Sequence, residues 1–530
     1  MISRVARPAT LIALVAVAAF VAHATSLAGK FIWLDHAHLE DGLAVARIGQ
    51  WGGLFTRGFA GTGFYRPLMA LSLSLDAAMG GGPWLFHLTT LLWHAAAALL
   101  VIAAAEALGL PRPAAILAGG LFAVHPANAL VAGAIAFRSE AMTAVALLAL
   151  LVFHRRGQRW PAALALLGGA LSKETALALA PLFIVALEVG GSSAAPAARP
   201  NRSLRRGRVK LWAAEAAALV LALALRAAFA PGWRAAFIEL GPSQALGTRL
   251  AALAKSVWFV LAPIDRSICD AFVIRSAFGL PALAGAAILL GLVGLAQRRR
   301  GPALLLALGL LPVLNLVPIM RWWSPHYLYV PLAFAAMLAA EAAVAWGRPG
   351  LIAAAAAATI WTGLSLYEGR RFDSDAALWT AEVAAQPACR EGHFYLGEVE
   401  RQNHNPDAAA DHYERALAPT TGIISYVDRG AAWQNLAVVR LEQNRPDEAR
   451  AALHAALDLV TQDMARRRLI HNLAAAELRF GNPAEAARLL GPEIARADAL
   501  PESIFLCARA LHQLGREAEA GALLHRLQVH

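Results

Sequence analysis

Charged and polar side chains stand at the ends of apolar stretches of this sequence, where burial is costly. The first are Asp35, Glu40 and Asp41 in the stretch FIWLDHAHLEDG, and Tyr65 and Arg66 follow them. A charge inside a bilayer costs roughly 2.5–3.5 kcal/mol on insertion scales, so charges that persist are candidates for function. Later candidates of the same kind are His87, His94, His125, Arg138, Glu140, Lys173, Glu174, Arg321, His326 and Tyr327.

One or two carboxylates among several cations suit a reaction in which a base deprotonates a hydroxyl group while cations hold a phosphate leaving group. An ion path would instead need acids within the spans themselves. The sequence has no P-loop, GxSxG, HExxH or CxxC motif, so nucleotide hydrolysis, serine hydrolysis and zinc chemistry lack support. No metal site and no required cofactor can be read, and a need for a divalent metal stays open.

Each candidate also has a structural interpretation. Asp35 could cap a helix or face solvent, and Arg66 could anchor lipid headgroups. Lys173 and Glu174 are adjacent and could pair with each other. His125 precedes a proline and could cap a short span.

The elements that must position these residues are transmembrane helices. The chain has 530 residues, of which 58% are hydrophobic and 16% charged, and a mean hydropathy of +0.52. Apolar blocks of about twenty residues, the length that crosses a bilayer core, recur from residue 9 to 367. We expect about eleven spans in an all-α fold. The first block is interpreted as an uncleaved span, although Ala22-His23-Ala24 also resembles a signal-peptidase site.

Arginine clusters set the expected orientation. Arg4 and Arg7 precede the first block, and others stand at 155–159 and 298–300. The positive-inside rule then puts the N-terminus in the cytoplasm and the C-terminal part outside. This parity excludes 249–264 as a span and predicts an amphipathic helix along the outer surface. The net charge of +11 is therefore a topology signal, and we expect no nucleic-acid partner.

The sequence predicts two domains, a transmembrane domain at 1–370 and a helical-repeat domain at 387–530. Leu396-Gly397, followed by Ala409, Tyr413 and Ala416, begins a pattern typical of helical hairpins that bury their core by stacking. Similar offsets start at Leu436, Leu473 and Cys507, with a departure at Glu493, where a small residue is expected. The repeats resemble tetratricopeptide repeats (TPRs) and predict an α-solenoid.

Six short motifs precede this array: FIWLDHAHL, FYRPLMALSLSLD, FHLTTLLWH, LFAVHPANALVAGAIAFRSE, LSKET and HYLYVP. Together with the array they resemble the transmembrane-and-TPR O-mannosyltransferase-like family, and the chain resembles a bacterial relative of it. Its members are C-type glycosyltransferases. The resemblance implies transfer of a sugar from a polyprenyl-phosphate-linked donor at the periplasmic face of the inner membrane, with lipid and a protein or peptide acceptor as partners, the latter through the TPR domain.

The resemblance also assigns a catalytic carboxylate to the first exported loop. The family usually has two adjacent acids there, whereas Leu34 and His36 flank Asp35 here, so Asp35 and Asp41 are the candidates. For donor phosphate or substrate we expect Tyr65, Arg66, His125, Arg138, Glu140, Lys173, Glu174, His326 and Tyr327. The alternative function is a noncatalytic membrane anchor for a TPR scaffold. A transporter is not favoured, because the membrane part shows no internal repeat.

Overall fold

A computed structural model describes residues 8–190, 202–231, 238–263, 267–269, 271–298, 301–317, 321–460 and 463–528. Arg4, Arg7, Arg299 and Arg300, on which part of the predicted orientation rests, lie outside these residues. The chain divides into two compact units, Met1–Ala381 and Glu382–His530. Both units are built of α-helices, which confirms the predicted fold class.

Proline at the first helical turn begins many helices of the first unit, as at Pro67, Pro83, Pro242 and Pro302. Its fixed φ suits that position, and its missing N–H would have no partner there. The helices are α1 (Pro8–Ala22), α2 (Pro67–Ala78), α3 (Pro83–Ala107), α4 (Arg112–Val124), α5 (Ala129–Gly133), α6 (Arg138–Arg155), α7 (Arg159–Ser172), α8 (Thr175–Gly190), α9 (Arg202–Phe229), α10 (Pro242–Leu261), α11 (Leu280–Arg298), α12 (Pro302–Gly309), α13 (Tyr329–Ala345) and α14 (Arg348–Gly369), with a short strand β1 (Phe272–Val273) between α10 and α11.

Six helices of the described residues are long and apolar enough to cross a membrane, and α4 with α5 makes a seventh if this pair, bent by 51°, counts as one span. Four shorter apolar helices accompany them. The expected eleven spans therefore stay a prediction. The helix α10, expected along the membrane surface, is not among the six. The six are Pro83–Ala107, Ile135–Arg155, Arg206–Phe229, Leu280–Arg298, Pro325–Ala345 and Arg348–Asp373.

The candidate span that contains α6 is the most enclosed of the six. Of its most apolar window, 89% is buried in protein, against 11% for α11. A helix that touches protein on all sides can carry polar groups if each finds a partner, whereas a lipid-facing helix cannot. The candidate residues Arg138 and Glu140 both lie in the first turn of α6.

The second unit contains four helical hairpins, and the predicted repeat starts all fall in their first helices. In the first hairpin a Cβ on Gly397 would stand 2.6 Å from the Tyr413 ring, which explains a glycine at this position. Glu493 is buried and accepts from Arg467 Nε and NH2 at 2.8 and 2.7 Å, so an ion pair replaces the small residue of the pattern. The helices are α15 (Asp375–Ala385), which holds the boundary between the units, α16 (Arg390–Gln402), α17 (Pro406–Leu417), α18 (Arg429–Glu442), α19 (Pro446–Leu459), α20 (Asp463–Arg479), α21 (Pro483–Ile494), α22 (Pro501–Gln513) and α23 (Glu517–Gln528), with a short strand β2 (Ile423–Ile424).

Candidate functional site

The predicted base Asp35 lies in the loop after α1 and is fully buried. Its Oδ1 accepts from the Ala136 N–H at 2.7 Å, and its Oδ2 from the Ile32 N–H at 3.4 Å. Burial raises the pKa of Asp35 to about 7, although these N–H groups and His36 act to lower it. The carboxyl can thus change charge near neutral pH, and it is closed off from solvent.

A short π-helix, His36–Glu40, follows Asp35, whose side chain makes no cap bond to it. Asp41 ends this helix and is exposed, with its N–H donating to the His36 carbonyl at 2.9 Å. The second predicted base is therefore open to solvent, in contrast to Asp35.

His36 connects two carboxylates that the sequence did not single out as a pair. Its Nδ1 lies 2.5 Å from Glu40 and its Nε2 lies 2.6 Å from Asp375. Asp375 also accepts from the Trp33 N–H at 2.8 Å. The hydrogen bond to Asp375, followed by that to Glu40, raises the pKa of His36 to about 9 against the effect of burial. The i, i+4 spacing of His36 and Glu40 was a detectable signal, whereas nothing in the sequence connects His36 with Asp375.

Glu174, in the break between α7 and α8, is the centre of a second group. Arg66 donates to Glu174 Oε2 through Nε and NH2, both at 2.9 Å. The Tyr65 N–H and Arg226 NH1 contact Oε1 at 2.9 and 3.4 Å. Two guanidinium groups from distant parts of the chain thus meet at one carboxylate. Burial acts to raise the pKa of Glu174, but the charge and hydrogen bonds of Arg66 outweigh it, so the pKa is lowered.

Lys173 pairs with Glu140 at the start of α6, not with its neighbour Glu174. His326 Nε2 lies 3.6 Å from the same Glu140 carboxylate, and the side chains of all three are at most 10% exposed. Burial lowers the pKa of Lys173, although Glu140 acts against this. A buried lysine beside one carboxylate is a point charge held in a low-dielectric place, where it acts strongly on an anion.

Aromatic rings join the loop of Asp35 to these charged groups. The Trp33 ring lies 5.0 Å from Phe137, and Phe137 lies 4.6 Å from His326. Arg321 stands over the Trp33 ring at 5.0 Å. Because Phe137 follows Ala136, whose N–H binds Asp35, the base candidate and the cations belong to one packed region. We call Asp35, Tyr65, Arg66, Glu140, Lys173, Glu174, Arg226 and His326 the charged site.

Tyr327 borders the charged site. Its ring lies 4.2 Å from that of His326, and its hydroxyl donates to the Arg321 carbonyl at 3.0 Å. Arg226 was missed in the sequence because it was counted as part of a span, although its place in the last turn of α9 is a signal of the kind used for the other candidates.

Arg138 is committed elsewhere. It is fully buried and forms an ion pair of 2.6 Å with Asp76. It also donates to Thr90 Oγ1, Ser72 Oγ and the Phe86 carbonyl at 3.0, 2.9 and 2.7 Å. A guanidinium with these partners supports the packing of α2, α3 and α6, and a role of Arg138 in substrate binding stays a prediction.

His125 closes the bend between α4 and α5. Its Nδ1 accepts from the Ala127 N–H at 3.1 Å, and its Nε2 donates to the Val260 carbonyl at 2.9 Å. Asn128 Nδ2 donates to the Phe122 carbonyl at 2.7 Å, and Ser365 Oγ to the Val124 carbonyl at 2.9 Å. The capping interpretation of His125 therefore fits the geometry better than ligand contact.

The charged site combines an acid of raised pKa with three cations from separate elements, two of which meet at Glu174. Such an arrangement can take a proton at one point and neutralise an anion at another. Within the described residues, no group of three or more His, Cys, Asp or Glu side chains could hold a metal ion. Fold and site together define a polytopic α-helical membrane protein with a charged site and an appended helical-repeat unit.

Sequence comparison supports the family resemblance. A stretch of 152 residues is 32% identical to the protein O-mannosyl-transferase Tmtc2 of Drosophila melanogaster, and one of 147 residues is 30% identical to Tmtc1 of the same organism. The stretches are 27% and 26% of this chain but only 16% and 17% of those relatives. The chain thus matches about a sixth of their length, and their activity comes to it only as a proposal.

No family model matches the chain. Among solved structures, the alignment with ArnT from Cupriavidus metallidurans bound to undecaprenyl phosphate covers 97% of this chain and 89% of the ArnT chain. The sequence identity is 14% and the TM-score is 0.39. The alignment with the MamA protein covers 30% of this chain and 80% of the MamA chain, at 15% identity and a TM-score of 0.25.

Proposed function

We propose that this protein is a C-type membrane glycosyltransferase that moves a sugar from a polyprenyl-phosphate-linked donor to a protein or peptide acceptor. The observation that carries the proposal is that Arg66 and Arg226 meet at Glu174 while Lys173 pairs with Glu140, in the packed region that contains Asp35. The sequence similarity to two protein O-mannosyl-transferases supports it.

In the proposed reaction Asp35 takes the proton of the acceptor hydroxyl, and the hydroxyl oxygen attacks the anomeric carbon of the sugar. The bond between that carbon and the phosphate oxygen breaks, so the lipid phosphate leaves with the electron pair. Arg66 offers a planar pair of donors to phosphate oxygens, and Lys173 a point charge. Asp41 is the alternative base, because it is exposed while Asp35 needs the loop to open.

Glu174 occupies the position between Arg66 and Arg226 that an anion would take. Donor phosphate must therefore either join these groups or displace the carboxylate from one arginine. Charge-assisted hydrogen bonds are the strong ones, so a doubly held carboxylate is a substantial competitor. The proposed donor site is in this sense closed by a residue of the protein itself.

Transfer of label from a radiolabelled polyprenyl-phosphate mannose, by purified full-length protein in lipid, tests the proposal. We expect Asp35→Asn, Arg66→Ala and Lys173→Ala each to cut turnover by a factor of about 100 or more. Arg66→Lys should recover only part of the loss, because it restores charge without the planar pair. The matched control is Arg112→Ala, which removes an arginine whose pair with Glu106 is exposed.

The complete burial of Asp35 favours a second candidate, a noncatalytic membrane anchor for the repeat unit. The same assay separates the two. If no lipid-linked donor is used and Asp35→Asn behaves as the parent protein in cells, the enzyme is excluded and the scaffold stands.

We propose that the N-terminus is cytoplasmic and the repeat unit periplasmic, in a bacterial inner membrane. The distribution of arginines along the sequence supports this orientation through the positive-inside rule. Single cysteines at Arg206 and Asn472 test this with an impermeant reagent in intact cells. Position 206 should be protected and position 472 should react, and the reverse would invert the topology.

A further inference from the structure

A cavity of about 420 Å³ lies in the second unit beside the hairpin of α16 and α17. Its volume is within the range of pockets that hold small ligands, roughly 300–1,000 Å³. Its apolar walls are small side chains, and its polar walls include two arginines. The lining residues are Val383, Pro387, Ala388, Arg390, His393, Arg415, Ala418 and Thr420.

Arg390 is a fixed cation of this cavity. Its Nε donates to the Ala416 carbonyl at 2.6 Å and its NH2 to the Leu417 carbonyl at 3.3 Å, both in the last turn of α17. These carbonyls hold the guanidinium in place, and their partial negative charge at the end of α17 offsets its positive charge only in part. A side chain positioned in advance loses little entropy when it binds a ligand.

One lining histidine, His393, adds polarity to the wall, and it contacts His412, which is not a lining residue. His393 Nε2 donates to the Pro387 carbonyl at 3.2 Å, so its Nδ1 is an acceptor for His412 Nδ1 at 3.0 Å. Burial lowers the pKa of both imidazoles, although the Pro387 carbonyl acts to raise that of His393 and Asp411 that of His412. The positive charge of the cavity is therefore that of its arginines.

Arg415 is the second cation and is held only weakly. It pairs with Asp411 at 3.0 Å, and the two side chains are 60% and 54% exposed. Exposed pairs of this kind contribute little to stability, so a ligand can displace Asp411 from Arg415 at little cost. Asp411 therefore competes with the ligand for Arg415.

We propose that this cavity binds a carboxylate side chain of an extended acidic peptide. Arg390 would contact the carboxylate within the cavity and Arg415 at its mouth, while the small walls receive the flanking side chains of the peptide. A lipid headgroup is not favoured, because none of the lining apolar side chains is of the large type that enters a membrane. The site goes beyond the proposed transfer reaction and does not depend on it.

Fluorescence anisotropy of a labelled peptide, Gly-Ser-Ala-Glu-Ala-Glu-Ala-Ser-Gly, with the full chain in neutral detergent tests the site. We expect saturable binding, and binding at least about tenfold weaker when both Glu are replaced by Gln, because charge-assisted hydrogen bonds are lost. Arg415→Gln should weaken binding about two- to fivefold, as expected for an exposed cation. Asp411→Asn should strengthen it, because the competitor is removed.

The expected changes in peptide affinity have opposite signs in Arg415→Gln and Asp411→Asn, although both residues are exposed on one helix. A general effect on folding would change the affinity in the same direction in both variants. The control is Arg488→Gln, which breaks an exposed pair with Glu485 in another hairpin and should change nothing. Equal binding of the Glu and Gln peptides, no binding of either, or a change of the same sign in both variants would overturn the proposal.

Discussion

Arg138 and Asp76 allow the sharpest test of the buried charges. The ion pair of 2.6 Å joins side chains that are 0% and 2% exposed, so water screens it little. Arg138→Met leaves the Asp76 carboxylate buried with one remaining donor, Thr89 Oγ1 at 2.9 Å. Removing one partner of a buried pair costs about 3–5 kcal/mol, because the other charge is stranded.

We therefore expect Arg138→Met to lower the free energy of unfolding by about 3–5 kcal/mol, and Asp76→Leu to do the same by stranding the guanidinium. The double variant should recover most of this loss, since apolar residues can replace a buried pair at little cost. If the double variant keeps a loss of only about 1 kcal/mol, the coupling between the two changes should be at least about 5 kcal/mol, well above the few tenths found for independent sites.

The assay is denaturant titration of the detergent-solubilised protein, followed by tryptophan fluorescence, with transfer activity per folded molecule measured beside it. The activity per folded molecule should stay close to that of the parent protein. If Arg138→Met is as stable as the parent and instead loses activity, Arg138 belongs to the donor site as the sequence suggested. If the two single effects on stability simply add, the pair is not coupled and the expected cost is wrong.

Three further predictions concern single residues. Asp35, with a pKa near 7, must be ionised to act as a base, so transfer should rise with pH, reach half its maximum near pH 7 and level off above about pH 8; a flat profile between about pH 6 and 8 argues against this base. The folded pKa of His36, about 9, lies above its unfolded value, so its contribution to stability is fully present below about pH 6.5 and is lost as pH rises through 9. Chemical denaturation should therefore show His36→Gln less stable than the parent at pH 6 and nearly equal above pH 9, and a constant difference would contradict the linkage. His125→Ala should lower the unfolding free energy by about 1–2 kcal/mol through the lost cap, and an unchanged unfolding midpoint would return His125 to the ligand candidates.

The sequence reveals what is local in this protein. Apolar blocks, proline at helix starts and the offsets of Leu396, Ala409 and Tyr413 each report on neighbours within a few turns, and the helices and hairpins followed from them. Candidate residues were found by the cost of placing charge near lipid, which needs no knowledge of partners.

Pairing is what the sequence could not give. Lys173 pairs with Glu140 and not with the adjacent Glu174. At a break between helices, tertiary packing and not sequence adjacency sets the direction of a side chain. His36 and Asp375 are 339 residues apart, and no periodic pattern connects positions at that separation. The number of spans depends on tertiary structure too, because short or bent helices packed within the protein need not match the thickness of a bilayer.

The bend between α4 and α5 has a consequence for motion. Breaks in helices are ordinarily places where backbone amides open and exchange their hydrogen with water. Here the Ala127 N–H and the carbonyls of Phe122 and Val124 are all bonded, to His125, Asn128 and Ser365. The Ala127 amide should therefore exchange about as slowly as those inside α4. We therefore expect the bend to be a rigid corner rather than a hinge.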